Sequence, residues 1–248
     1  IQKKNFMKYI LSLLIVLGFT LQADAQFGKL LEKAKNNDIV KKVIGNDESL
    51  DIAGGLKEAL EKGVDEAVTS LSAEDGYHKS PYKILLPEEA RAVVNKLKII
   101  PGFQDVEEKL VMKMNAAAES AAKKATPIFV NAITSMSFDD ARKILFGEDD
   151  AATRYLDNSS RSALYDAFLP AIQGALDEVN ARTYWKSVVE KYNSLPFVKK
   201  VNPELDDHVN NKALDGMFGL IEVKEEGIRK DVDQRTSPLL KDVFSKLD

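Results

Sequence analysis

The chain has 248 residues, 44% of them hydrophobic and 30% charged, which is typical of a globular protein with a sizeable core. Its formal net charge of -4 argues against a nucleic-acid-binding protein, because such proteins normally carry a strongly basic surface. The absence of cysteine excludes disulfides, a cysteine nucleophile and attachment of a lipid to a cysteine.

Residues 1–25 are predicted to be a signal peptide. Lysines precede an apolar segment, Tyr9–Leu21, and Ala23-Asp24-Ala25 provides an A-x-A cleavage site. The apolar segment is shorter than the roughly 20 residues that a membrane-spanning helix needs. We therefore expect cleavage after Ala25 by the Sec pathway. The mature protein would lack a transmembrane anchor and would lie in the periplasm or outside the cell.

The rest of the chain is predicted to be helical. Residues 26–48 read as an N-terminal helical leader, and residues 49–248 as a single all-helical domain. No segment shows the alternation of a strand, and no internal repeat is present. The sequence thus predicts an all-α fold, a multi-helix bundle with proline-kinked helices and no substantial sheet.

The helices are predicted from apolar spacing, capping residues and prolines. In chain order they span Asp51–Leu71, Pro87 to before Pro101, Phe103–Met136, Phe138–Phe146, a short stretch through Tyr155, a longer one from Ser159 or Ser160, Ala181–Leu195, Leu205–Arg229 and Pro238–Leu247. Tyr77–Leu86 is predicted to be an irregular connector and Pro196–Pro203 a linker. Pro127 and Pro170 are expected to kink or break their helices.

Three local features add detail to this prediction. Ser137 with Asp140 three residues later forms a capping-box pattern. Asp149 or Asp150 is expected to cap the helix that follows. Gly54-Gly55 weakens the first helix, unless glycine allows another helix to approach closely.

The segment Leu205–Arg229 carries charges inside an apolar stripe. Glu225 shares one helix face with Phe218 and Ile221, and Arg229 follows four residues later, within reach along a helix. An unpaired buried charge is very costly, so an ion pair that locks helices is the favoured interpretation. A ligand-binding patch that includes Glu226 is the alternative. Arg235 is placed to bridge back to this helix.

No catalytic or metal-binding motif is present. The two histidines, His78 and His208, lack metal-ligand spacing, and neither G-x-S-x-G nor a Gly-rich phosphate loop occurs. The acidic run Glu148–Asp150 fits a helix start better than a calcium loop. We therefore predict no catalytic residue, no metal and no cofactor.

Several motifs together resemble the bacterial family called domain of unknown function 4197. They are MNAAAE at Met114–Glu119, Asp139–Ala141 with Ile144–Gly147, Ala151–Thr153 with Tyr155, KALDGMF at Lys212–Phe218, and Glu225–Arg229 with Arg235. The resemblance runs from about Gly55 to Phe244. It implies an exported helical protein without an established activity.

Some positions depart from the family pattern. An arginine is common where this chain has Ala116, and a tyrosine is usual in place of His208. The second departure argues against a catalytic role for that histidine. The family's acidic residue before Ala-Ala-Thr corresponds to Asp149, with Asp150 where threonine is usual.

The resemblance also marks candidate ligand-binding residues, for which it implies no more specific role. They are Asp149, Thr153, Tyr155, Lys212, Asp215, Glu225, Glu226, Arg229 and Arg235.

Three functions are compatible with these features. The leading hypothesis is a non-catalytic binding or structural protein of the cell envelope, which holds a small apolar or amphipathic ligand in a groove between helices or contacts an unknown envelope partner. A hydrolase-type enzyme could instead use a cluster of carboxylates and arginines. The third hypothesis is a scaffold for protein partners, which would expose an apolar patch.

Overall fold

A computed structural model describes residues 48–88, 105–194, 196–197 and 199–248. The predicted signal peptide, the leader up to residue 47 and nearly all of the predicted helix after Pro87 lie outside these residues. No strand occurs in the described ranges, so the predicted all-α fold is confirmed. None of the described helices is both long and apolar enough to cross a membrane.

The described α-helices are numbered in chain order. They are α1 (Glu48–Ser72), α2 (Val106–Ala122), α3 (Ala125–Thr134), α4 (Phe138–Leu145), α5 (Ala151–Asp177), α6 (Ala181–Asn193), α7 (Leu205–Lys230) and α8 (Pro238–Phe244). Helix α7 packs against α1, α2, α5 and α6, and α1 packs against α8. The core therefore lies around α7.

Helix α1 shows why a glycine is tolerated in its interior. A Cβ added at Gly55 would lie 2.5 Å from Cγ2 and 2.8 Å from Cβ of Val243 on α8. The missing side chain thus lets α8 approach the backbone of α1. This is the close approach that the sequence left open as the reason for Gly54-Gly55.

The connector at residues 77–86 is irregular, as predicted, and α2 holds it in place. Asn115 accepts a hydrogen bond from the backbone N–H of Ile84 (2.8 Å) and donates one to its carbonyl (2.9 Å). Glu119 accepts from the backbone N–H groups of Tyr77 (3.1 Å) and His78 (3.3 Å). These side chains satisfy backbone groups that no helix or sheet would satisfy.

The long helix predicted over Phe103–Met136 is divided into α2 and α3. The break falls at Lys123-Lys124, so Pro127 lies in the first turn of α3. The first four N–H groups of a helix have no partner within it, so a proline there costs no hydrogen bond. The chain breaks just before the proline rather than at it.

Helix α5 corrects the prediction of two separate helices. It continues for 27 residues through Tyr155 and Ser159 and contains Pro170. The hydroxyl of Ser159 donates to the carbonyl of Tyr155 (2.7 Å), and that of Ser160 donates to Leu156 (2.6 Å). The serines bond back into the helix they were expected to begin, because the buried apolar stripe continues past them.

Phe218 of α7 belongs to the core. Its side chain is 4% exposed, and its ring meets Phe129 edge to face with centroids 5.7 Å apart. The Arg161 guanidinium lies 5.1 Å from the centre of the same ring. A buried aromatic ring that already contacts another ring and a cation offers little surface to a ligand.

We expect Gly55→Ala to destabilise the protein by about 1–2 kcal/mol, because the overlap with the stiff Val243 side chain outweighs the gain in helix propensity. Gly174→Ala is the matched control. A Cβ there meets nothing within 4 Å, so we expect a gain of about 0.5–1 kcal/mol. Urea unfolding measures both, and a Gly55→Ala protein as stable as the wild type would contradict the close approach.

Candidate functional site

Glu225 of α7 binds the first turn of a different helix. Its Oε1 accepts from the backbone N–H of Ala152 (2.9 Å), and its Oε2 accepts from the N–H (2.7 Å) and the hydroxyl (2.8 Å) of Thr153. Asp150 stands at the N-cap of α5, but its side chain makes no capping hydrogen bond. The capping carboxylate predicted at Asp149 or Asp150 is therefore supplied by Glu225 from across the fold.

Arg229, one turn further along α7, forms the predicted pair with Glu225. Its Nε donates to Oε1 of Glu225 at 2.9 Å, and both side chains are less than 10% exposed. The remaining guanidinium nitrogens donate to the carbonyls of Leu145 (3.0 Å) and Ile144 (2.8 Å), at the end of α4. The carboxylate thus meets the positive end of α5 and the guanidinium meets the negative end of α4.

Arg235 repeats this arrangement at the end of α7. It is 2% exposed and donates to the carbonyls of Ile228 (3.1 Å) and Arg229 (2.8 Å). Its two terminal nitrogens also donate to the carboxylate of Asp248 at 2.7 and 2.8 Å. The predicted bridge back to the α7 helix is confirmed.

There is little space for a ligand beside these buried groups. Glu225 and Arg229 line a cavity of about 20 Å³ that is otherwise mainly apolar, with Leu56, Ile221 and Phe244 in its wall. Such a volume holds about one water molecule. Both oxygens of the carboxylate and all three guanidinium nitrogens already have protein partners, so this cluster is best suited to joining helices.

Two further candidates, Asp149 and Glu226, lie at the surface near one another, and Lys230 joins them. Lys230 contacts Asp149 (2.7 Å) and Glu226 (2.8 Å), and all three side chains are more than half exposed. The hydrogen bond from Lys230 holds the pKa of Asp149 below its usual value. Pairs this exposed contribute little stability because water and salt screen them. Tyr155 is half-buried, and its hydroxyl lies 3.4 Å from the carbonyl of Ala132.

Lys212 and Asp215 lie in the other half of α7. Asp215 pairs with Lys212 (3.2 Å) and with Arg161 (3.1 Å), and both motif residues line a shallow surface cleft of about 220 Å³ beside Tyr82. Ten residues separate Asp215 from Glu225, which is about 15 Å along a helix. The nine candidates therefore occupy separate places and do not form one site.

A second cleft was not predicted from the sequence. It has a volume of about 280 Å³ and lies where the end of α5 meets the starts of α6 and α7. We call it the polar cleft. It is lined by Asp177, Arg182, Thr183, Lys186, Pro203, Glu204, Leu205 and Asp206.

Asp206 is the most buried charged group of the polar cleft. It is 5% exposed, and its Oδ2 accepts from Gln173 (2.7 Å) and lies 3.5 Å from Nε of Arg182. Its Oδ1 has no hydrogen-bond partner among the described residues, and neither has Nε of Arg182. A buried carboxylate oxygen without a donor is costly, so this position is chemically suited to receive one.

Sequence reasoning missed this cleft for a physical reason. Asp206, next to Asp207 and His208, has the spacing of ordinary helix-start polarity. Only the packing of α5 and α6 against α7 brings Arg182 to it. The described residues contain no group of three or more His, Asp or Glu side chains able to hold a metal ion.

Comparisons with known proteins give a single kind of match. A family model described as "Protein of unknown function (DUF4197)" matches residues 46–245. No curated protein matches, and no solved structure matches.

We expect Glu225→Ala to destabilise the protein by about 3–5 kcal/mol, because it leaves Arg229 buried without its counter-charge and two N–H groups of α5 without an acceptor. Glu226→Ala, its exposed neighbour, is the control and should change stability by less than about 0.5 kcal/mol. Urea unfolding of both variants measures the difference. Equal effects would show that the buried network does not stabilise the fold.

The bond between Arg235 and Asp248 predicts a pH dependence. The hydrogen bond from Arg235 holds the pKa of Asp248 below its ordinary 3.8, so the stability it adds is present above that value and is lost as the pH falls through the lower, folded-state pKa. Asp248→Asn should therefore be less stable than the wild type at pH 7, with a difference that shrinks below about pH 4. A difference for Asp248→Asn that stays constant with pH would contradict the assignment.

Proposed function

This chain belongs to the family described as "Protein of unknown function (DUF4197)", and we propose that it is an exported, non-catalytic binding protein of the cell envelope. We propose further that it binds a small zwitterionic solute, of the class of free amino acids, in the polar cleft. The buried Asp206 carboxylate in the wall of the polar cleft, one oxygen of which has no hydrogen-bond partner among the described residues, carries this proposal.

The proposed export rests on the N-terminal sequence. Residues 1–25 combine lysines, a short apolar segment and an A-x-A site, the pattern of a secretory signal peptide. The chain has no cysteine to carry a lipid at the cleavage site. These features support the proposal of a mature protein released into the periplasm or outside the cell.

The charges of the polar cleft favour a ligand that carries both signs. Asp206, Asp177 and Glu204 offer carboxylates, while Lys186 and Arg182 offer cations. Lys186 pairs with Glu204 at 3.1 Å on the exposed rim, where such a pair is weak and can exchange for a ligand group. An ammonium group would donate to Asp206, and a carboxylate would accept from Lys186.

The interior is less suited to a ligand than the polar cleft. The cavity beside Glu225 has about 20 Å³, against about 280 Å³ for the cleft. Phe218 is buried and contacts both Phe129 and Arg161. Glu225 and Arg229, which a hydrolytic cluster of carboxylates and arginines would use, are hydrogen-bonded to the ends of α5 and α4. These observations favour binding at the surface over an apolar ligand within the bundle or a hydrolytic site.

Calorimetric titration with the twenty free amino acids tests the binding proposal. We expect at least one to bind, and Asp206→Asn to weaken it about tenfold or more, since a charge-assisted hydrogen bond is lost. Lys186→Gln, at a side chain that is 53% exposed, should also weaken binding while leaving the melting temperature unchanged. Asp215→Asn, in the other surface cleft, is the matched control and should bind like the wild type.

Expression of the full sequence tests the proposed export and shows whether a solute is bound. When the full sequence is expressed, the protein recovered from the periplasm should have the mass of Gln26–Asp248. Native mass spectrometry of that protein should show any solute that remains bound. Retention in the cytoplasm with residues 1–25 intact would overturn the export proposal. If none of the free amino acids binds, the assignment of the polar cleft as a binding site is wrong. It is also wrong if Asp206→Asn binds as tightly as the wild type.

A further inference from the structure

The segment between α6 and α7 exposes an aromatic side chain in a strained backbone conformation. Phe197 is fully exposed (107%) and has φ of 62°. The other non-glycine residues with positive φ in the described chain are Asp75 and Asn180, whose short polar side chains suit this conformation. Phenylalanine has no such compensation. Both its exposure and its backbone therefore cost free energy, which is a common property of functional positions.

The base of this segment is held firmly. The amide of Asn193, at the end of α6, accepts from the N–H of Val201 (2.9 Å) and donates to its carbonyl (2.8 Å). Trp185, 4% exposed, donates to the carbonyl of Asn202 at 3.2 Å. Val201 is itself 8% exposed and belongs to the core. The chain is thus fixed where it returns to the bundle, four residues after the exposed ring.

The charge of the segment is opposite to that of the protein. Residues 191–203 read KYNSLPFVKKVNP, with three lysines and no acidic residue, in a chain whose net charge is -4. The apolar run LPFV lies between these lysines, and Lys199 and Lys200 are exposed. An exposed phenylalanine followed by two exposed lysines is complementary to an apolar layer below an anionic surface.

We propose that Phe197, Lys199 and Lys200 form a membrane-contact surface that docks on a bilayer containing anionic lipids. The ring of Phe197 enters the boundary between headgroups and acyl chains, and Lys199 and Lys200 lie against the anionic headgroups. A bilayer surface has no fixed shape to match, and one projecting ring with neighbouring cations would give weak, reversible binding. The proposal is independent of the polar cleft, because it uses none of the cleft's side chains.

Co-sedimentation of the mature protein with vesicles tests this proposal. We expect binding to phosphatidylglycerol vesicles that weakens as salt is raised, and little binding to phosphatidylcholine vesicles. Phe197→Asn should weaken binding about tenfold or more, and Lys200→Gln about fivefold. Because asparagine tolerates positive φ, the melting temperature of Phe197→Asn should not fall.

A matched control tests whether vesicle binding depends on Phe197 or on any exposed apolar side chain. Phe146 is also exposed (54%) but lies at the end of α4, so Phe146→Asn should bind vesicles like the wild type. Failure of the wild type to bind phosphatidylglycerol vesicles would overturn the proposal, as would equal binding of Phe197→Asn or of phosphatidylcholine. A protein partner whose binding requires Phe197, without any vesicle binding, would also overturn it.

Discussion

The buried pair of Glu225 and Arg229 determines how three helices meet. Each charge would cost several kcal/mol if buried alone, and the pair repays that cost only when its remaining hydrogen bonds are made. Those bonds come from the first turn of α5 and the last turn of α4. The pair is therefore satisfied in the observed arrangement of α4, α5 and α7. We infer that this selectivity for one arrangement, more than net stability, is what the charge in an otherwise apolar stripe contributes.

Elsewhere in the fold, polar side chains also satisfy the backbone hydrogen-bonding groups of a neighbouring segment. Asn115 and Glu119 satisfy backbone groups of the irregular connector, and Arg235 satisfies the last carbonyls of α7. A bundle without disulfides has few other means of fixing segments that lie outside helices. Much of what looks like a functional motif in this sequence completes backbone hydrogen bonding in a neighbouring segment.

The sequence predicted the features that depend on neighbours along the chain. These include the helices, the capping box at Ser137, and the pair four residues apart at Glu225 and Arg229. It could not predict partners from distant segments, such as Thr153 for Glu225 or Arg182 for Asp206. Helix α5 was divided wrongly because its serines resemble helix starts, whereas burial decides that the helix continues. The strained backbone of Phe197 has no local signal, since phenylalanine is an unusual residue there.

The contact between Gly55 and Val243 has a consequence for the order in which the chain can fold. Helices α1 and α8 pack together, yet they stand at opposite ends of the described sequence. Contacts between such distant segments form slowly, because much chain entropy is lost before they are made. During synthesis α1 lacks α8, one of the helices it packs against, until almost all of the described sequence has emerged. In a protein exported as we propose, that delay would favour crossing the membrane before the core can close.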